Sequence, residues 1–292
     1  MDLLYALQNM RNPVLDVVFN TFTMLGEQYF VIILFCWLAW CNDKEFAHKT
    51  GFAFCLGMGI NQVLKLVFCV QRPWVLDSRL EPNQSALEEA TGYSFPSGHT
   101  QSGITVFGCL ALRYRALVFR IFCVICAVMI GVSRMYLGVH TPADVLASFA
   151  IGIAVIFVTE WLYSVCIKHD VATLISGLAI SILMVAFALL KPYPSYHSPE
   201  YAFDCVKIAG AIGGFVSGWF LERHFVNYKP QGKTSANVIK TIVGIVVLIS
   251  LKVLFKKAFE QTYFIMYIQN YILIFWCVFA YPWIMNIAKN RL

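Results

Sequence analysis

A chain of 292 residues with 59% hydrophobic and 13% charged side chains cannot wrap itself in an ordinary polar surface. Soluble domains carry about a quarter charged residues, and the mean hydropathy here is +0.69. A polytopic helical membrane protein is the class that remains, because a lipid-facing backbone must satisfy its hydrogen bonds internally. The net charge of +6 serves to orient loops across a bilayer and calls for no nucleic-acid partner.

Residues 1–24 lack the basic front and cleavage site of a signal peptide. Asn9, Arg11, Asn12, Pro13 and Asp16 also make them a poor span. Leu3, Leu4, Leu7, Val14, Val17, Val18 and Phe22 suit a helix lying in the interface. Nine apolar stretches follow at 25–41, 50–70, 98–113, 117–137, 143–166, 171–190, 203–222, 236–255 and 263–287, against a requirement of about 20 residues per span. The fold class is therefore all-α. The ten cysteines lie mostly inside apolar runs and suggest no disulfide framework.

Alternate loops sort the cations. Lys44, Lys49, Arg113, Arg115, Arg120, Lys168, Arg223, Lys229, Lys233, Lys289 and Arg291 fall on one side, which the positive-inside rule makes cytoplasmic. The N-terminus is then outside and the C-terminus inside. Loop 71–97 and the loop around 134–142 share the outer face.

Three charged clusters converge there, and ionisable groups at membrane depth mark function by default. Lys65 and Arg72-Pro73 are seven residues apart, almost two helical turns, so both cations share one helix face. Snorkelling is a simpler reading for Arg72, but Lys65 lies too deep for it. Pro96-Ser97-Gly98-His99 opens the third span. Ser97 is a natural N-cap, Gly98 lets a ligand approach the backbone, and the free N–H groups of a helix start suit an anion. In Ser133-Arg134 through His140-Thr141-Pro142-Ala143-Asp144, Thr141 is an N-cap and Asp144 closes a capping box. That structural role is compatible with a second one, in which Asp144 fixes the tautomer of His140. Three cations, a helix N-terminus, two histidines and a carboxylate fit phosphoryl transfer. One histidine can serve as nucleophile and the other as general acid. No Cys/His spacing suggests zinc, and acids are too sparse to cage magnesium. The reading is metal-free, with no cofactor.

These residues resemble the type-2 phosphatidic acid phosphatase superfamily, which includes lipid phosphate phosphatases, membrane glucose-6-phosphatase and the vanadium haloperoxidases. Its signature is lysine, six residues, Arg-Pro; Pro-Ser-Gly-His; and Ser-Arg, five residues, His, three residues, Asp. Each fixed position is present in order over residues 65–144. The resemblance implies a phosphatidic-acid-phosphatase/vanadium-haloperoxidase-like helical core. It implies that His140 attacks phosphorus, Asp144 orients it, and His99 protonates the leaving oxygen and then activates water. Lys65, Arg72, Ser97, Gly98 and Arg134 would hold the phosphate, with Ser133 a weaker contact.

The expected organisation is an interfacial N-terminal helix at 1–24, a catalytic phosphatase core at 25–190, and additional C-terminal membrane spans at 191–292. The expected activity is metal-independent dephosphorylation of a lipid phosphate or lipid pyrophosphate at the outer membrane face, through a phosphohistidine. Undecaprenyl pyrophosphate, sphingoid phosphates and phosphatidic acid are candidate substrates. Phosphotransfer to an acceptor alcohol, a sugar-phosphate phosphatase and a transporter-like protein are the alternatives. Membrane lipids are the expected surroundings, and no obligate protein partner is evident. His197, Glu200, Asp204 and Lys207 read either as a second outer pocket or as interfacial anchors. Trp161, Trp219, Trp276 and Trp283 read as interface belt residues.

Overall fold

The computed structural model describes residues 1–290, so Arg291, counted above among the inner cations, lies outside them. Secondary structure among the described residues is entirely helical. Helix α1 (Asp2–Asn9) is followed by α2 (Pro13–Met24), where Pro13 takes the first position and the Asn12 side chain accepts from the amides of Val14 and Leu15. Helix α3 (Gln28–Trp37) runs on into a π-helical turn, Leu38–Asn42, and is bent by 51° against α2. Then come α4 (Lys44–Phe68), the short α5 (Pro73–Leu76) and α6 (Gln84–Leu87), and α7 (Gly98–Arg113), α8 (Leu117–Tyr136), α9 (Pro142–Lys168) and α10 (Asp170–Leu190). A 3₁₀ turn at Pro199–Ala202 leads into α11 (Phe203–Leu221) and its π-helical end, Glu222–Val226. Helices α12 (Thr234–Ala258), α13 (Tyr263–Phe275) and α14 (Tyr281–Asn290) complete the chain, the last two joined by a π-helical turn, Trp276–Ala280.

Among the described residues, seven helical stretches are long and apolar enough to cross a membrane, or eight if the bent α2–α3 pair is one span. The chain is thus an integral membrane protein. With the bent pair counted, the difference from nine lies in α7, whose 16 residues rise only about 24 Å, short of the roughly 30 Å hydrocarbon core; the expected span at 25–41 passes only together with α2.

A second difference concerns Lys65 and Arg72. They do not share a helix face, because α4 ends at Phe68 and Cys69 adopts φ +50°. Arg72 is extended (φ −69°, ψ 153°), as Pro73 demands of the residue before it.

The chain divides into two compact units. The first comprises Met1–Val31, Leu56–Thr159 and Pro192–Asp204. In it α7 packs on α8, and α1 and α2 lie against α8. Small residues bring the helices close. A Cβ at Gly152 would sit 2.1 Å from Ile104 Cγ2, and one at Gly103 would sit 2.6 Å from Ile130 Cδ1. Ile121, Phe122, Val124 and Ile125 of α8 are exposed, the face expected of a lipid-contacting helix.

The second unit comprises Ile32–Cys55, Glu160–Lys191 and the chain from Cys205 onward. Trp40 is fully buried in it and donates from Nε1 to Cys277 O at 2.9 Å. Lys44 pairs with buried Glu222 at 3.0 Å. Trp219, expected at an interface belt, is fully buried instead and lies beneath the Arg223 guanidinium, which stands 5.1 Å from its ring. Trp161 and Trp283 are exposed.

Candidate active site

All eight residues expected to carry chemistry lie in the first unit. They lie in or beside the ends of α4, α7, α8 and α9. The tail of α8 turns at Gly138, whose φ of +75° favours glycine, and a Cβ there would meet Arg11 Nη2 at 2.7 Å. Arg11 donates from Nε to Tyr136 O at 3.0 Å, and the Tyr136 hydroxyl donates to Asp16 at 2.8 Å. Ala86, Tyr136, Leu137 and Val139 form a buried cluster with Leu7, Leu15 and Phe19. The peptide that leads to His140 is thereby clamped from outside.

Helix α9 starts as its sequence requires. Thr141 Oγ1 accepts from Asp144 N at 3.3 Å, and Asp144 Oδ2 accepts from Thr141 N at 2.7 Å, a reciprocal capping box. The same Oδ2 lies 3.4 Å from His140 Nδ1 and accepts from Ser94 Oγ at 2.6 Å. On the other side of the ring, His140 Nε2 is 3.0 Å from Arg72 Nη1. A guanidinium only donates. Nε2 is therefore the acceptor, and the ring proton sits on Nδ1, facing the carboxylate. Burial first, and then the Arg72 charge, push the His140 imidazolium pKa well below its ordinary value.

Arg72 gives two other donors to the 91–93 peptide edge and one to the loop before His140. Nε donates to Gly92 O at 3.0 Å, Nη2 to Thr91 O at 2.6 Å and Nη1 also to Val139 O at 3.0 Å. Lys65 is buried and donates to the next carbonyl, Tyr93 O. The same loop thus orients two cations that no shared helix aligns.

Ser97 caps α7, accepting from Thr100 N at 3.4 Å and from Thr100 Oγ1 at 2.9 Å. Ser97 N donates to Asp144 O at 3.2 Å, and Ser148 Oγ donates to both Ser97 O and Asp144 O. These bonds tie the two histidine-bearing motifs together. A Cβ at Gly98 would meet nothing closer than 3.8 Å, so crowding does not require a glycine there. Among the described residues, His99 Nε2 is buried without a hydrogen-bond partner. Arg134 is buried and donates from Nη1 to Thr23 Oγ1 at 2.6 Å, while its Nε and Nη2 have no partner. Ser133 turns back into its own helix, with Oγ donating to Ile130 O at 2.7 Å.

Sequence reasoning missed Ser94, Ser148 and Thr23, which are neutral hydroxyls with no spacing signature. It also left His197 and Asp204 open. The structure engages both with the 91–93 loop, through Tyr93 OH to His197 Nδ1 at 2.9 Å and Thr91 Oγ1 to Asp204. Among the described residues, no group of three or more His, Cys, Asp or Glu side chains is placed to hold a metal ion.

Residues 46–168 match the family model described as the PAP2 superfamily, and residues 206–290 match the model described as the PAP2 superfamily phosphatase transmembrane extension. Phosphatidylglycerophosphatase B of Bacillus subtilis is 30% identical over 162 residues, covering 51% of this chain and 76% of that protein. This chain belongs to the PAP2 superfamily. As a PAP2 member it is a membrane phosphatase. Sphingosine-1-phosphate phosphatase 2 of Homo sapiens is 26% identical over 237 residues, covering 77% of this chain and 56% of the human protein's length. LpxE of Aquifex aeolicus, in a crystal structure, matches with 30% identity and a TM-score of 0.48, covering 55% of this chain and 93% of that one. The PAP2 model spans the three signature motifs, and the extension model begins just after Asp204.

Proposed function

We propose that this PAP2 chain hydrolyses a lipid phosphate or lipid pyrophosphate at the outer membrane face, with His140 Nε2 as nucleophile. The observation that carries the reading is the two-sided clamp on the imidazole. Asp144 faces Nδ1 and Arg72 faces Nε2, so the lone pair needed for attack points toward the cations. The relatives' names support a lipid substrate, since phosphatidylglycerophosphate and sphingosine 1-phosphate are both lipid phosphates. So does a site built among spans.

In the proposed cycle, Lys65, Arg72, Arg134 and the amides at the start of α7 neutralise the phosphate oxygens. Nε and Nη2 of Arg134, buried without an acceptor among the described residues, are donors that such an anion would satisfy. Gly98 gives the phosphate access to the backbone at the helix N-terminus, which Ser97 caps. Nε2 of His140 forms a bond to phosphorus as the bond to the lipid oxygen breaks. His99 gives that oxygen its proton. His99 then takes a proton from water, whose oxygen attacks phosphorus, and the P–N bond breaks to release inorganic phosphate and free His140. Asp144 keeps the proton on Nδ1 and stabilises the ring while it carries positive charge. The loops that hold these groups, 71–97 and 134–142, are assigned to the non-cytoplasmic side, with the N-terminus outside and the C-terminus inside.

Purified protein in detergent should release phosphate from at least one of phosphatidylglycerophosphate, phosphatidic acid, sphingosine 1-phosphate or an isoprenoid pyrophosphate, and should do so in EDTA. Rapid alkaline quenching should trap a phosphohistidine that His140→Ala lacks. Full turnover by His140→Ala would falsify the nucleophile assignment. Labelling of single cysteines in loop 71–97 from the cytoplasmic side would overturn the orientation.

A further inference from the structure

The signature motifs account for which cations meet the phosphate, but not for what holds those cations in register. Arg72 has an extended backbone between two helices, and its guanidinium is oriented by Thr91 O and Gly92 O. Lys65 is oriented by Tyr93 O. Three consecutive carbonyls therefore aim both cations. These residues belong to no helix, and Gly92 takes a φ of +61°.

That peptide edge has its own support, in residues 192–204 of the same unit, about a hundred residues along the chain. Thr91 Oγ1 donates to Asp204 Oδ2. The Tyr93 hydroxyl and His197 Nδ1 share a hydrogen bond of 2.9 Å, with the two rings stacked. The strap backbone passes so near that a Cβ on Gly92 would sit 3.3 Å from Tyr201 O. Thr91 and Tyr93 are thus each hydrogen-bonded to one residue of 192–204, Gly92 lies beside Tyr201, and Tyr93 is buried to 1% exposure.

We propose that residues 192–204 form a brace for the phosphate-binding cations, with His197 and Asp204 as positioning residues that act through Tyr93 and Thr91 on Lys65 and Arg72. The proposal rests on the reading of Lys65 and Arg72 as phosphate-holding groups. It assigns the strap an effect on oxyanion affinity. A purely structural strap would change stability alone. Hydrogen bonds to charged groups lose strength steeply with angle, so a small tilt of the carbonyl edge weakens the grip on an anion.

The test measures binding of orthovanadate to the full chain in detergent, by calorimetry, which needs no turnover. Thr91→Val keeps the side-chain shape and removes the donor to Asp204. Thr91→Ser keeps the donor. His197→Ala removes the partner of Tyr93. The expected result is a vanadate Kd raised about five-fold or more in Thr91→Val and in His197→Ala. Thr91→Ser should stay near the parent, and all three ligand-free proteins should melt within about 2 °C of it. Unchanged vanadate affinity in both disruptive variants overturns the brace. So does a loss of affinity that merely tracks a fall in melting temperature, with Thr91→Ser as impaired as Thr91→Val. The catalytic reading is tested separately. If the strap variants bind vanadate weakly but His140→Ala still turns over, the nucleophile is wrong and the brace stands. If His140→Ala is dead and the strap variants bind as the parent does, the brace alone is wrong.

Discussion

Asp144→Asn separates the cap that Asp144 forms on α9 from the orienting role proposed for the same carboxylate. Its Oδ2 accepts from Thr141 N at 2.7 Å and from Ser94 Oγ at 2.6 Å, and lies 3.4 Å from His140 Nδ1. An asparagine retains an oxygen for the Thr141 amide, so the cap on α9 should lose about 1 kcal/mol or less. What disappears is the negative charge. In the proposed mechanism, attack by Nε2 on phosphorus leaves the ring positive, because Nδ1 keeps its proton. Unit charges 3.4 Å apart, at an effective dielectric of about 20, interact by about 5 kcal/mol. A transition state carrying half of that charge forfeits about 2.5 kcal/mol, which is about 70-fold in rate. Loss of the tautomer constraint adds to this, so kcat should fall by about two orders of magnitude. The assay is initial phosphate release at saturating lipid, run beside a melting curve in detergent. A variant that melts like the parent and keeps kcat within about threefold would show that Asp144 is a helix cap only.

Three further substitutions or titrations probe the same frame. Because the His140 pKa is pushed down, its ring stays neutral as pH falls through about 6.5, where a free imidazole protonates. Corrected for ionisation of the substrate phosphate, kcat/KM should therefore hold as pH falls through about 6.5, and an acid limb at 6.5 or above contradicts the proposed assignment. The same sign makes the neutral buried ring favour folding above the unfolded pKa and lose that contribution as pH falls below about 6.5, since only the unfolded ring readily takes up the proton. Thr23→Val removes the one side-chain acceptor of buried Arg134 and should raise KM about tenfold with little change in size or packing, which substrate-saturation curves will show. Gly138→Ala puts a Cβ at φ +75° and 2.7 Å from Arg11 Nη2. It should cost about 2 kcal/mol of stability, read as a lower melting temperature, and reduce activity through the adjoining His140 loop.

Much of this was legible because the physics is local. Hydropathy marked the stretches that became α3, α4 and α7 through α13, since a span announces itself over about 20 residues. Ser97 and the Thr141–Asp144 pair behave as capping rules predict, because a cap is decided within three or four residues. The charged side chains stood out for a similar reason. An ion is so costly at membrane depth that its presence alone asks for an explanation.

The parts that were not legible are those where partners are neutral and distant. The spacing of Lys65 and Arg72 aligns them only on a helix that Pro73 and Cys69 do not allow. In the folded chain Lys65 finds a carbonyl 28 residues away at Tyr93. Ser94 reaches Asp144 across 50 residues, and Arg134 reaches Thr23 across 111. A threonine in an apolar amphipathic helix carries no signal that it will receive a guanidinium. A carbonyl carries none at all, since every residue has one. Motif reading therefore finds the ions of a membrane active site and misses the hydroxyls and peptide edges that aim them. His197 and Asp204 show the intermediate case. Their polarity at the mouth of a span drew notice, but only the tertiary fold could say that Thr91 and Tyr93, more than a hundred residues earlier, were what they would hold.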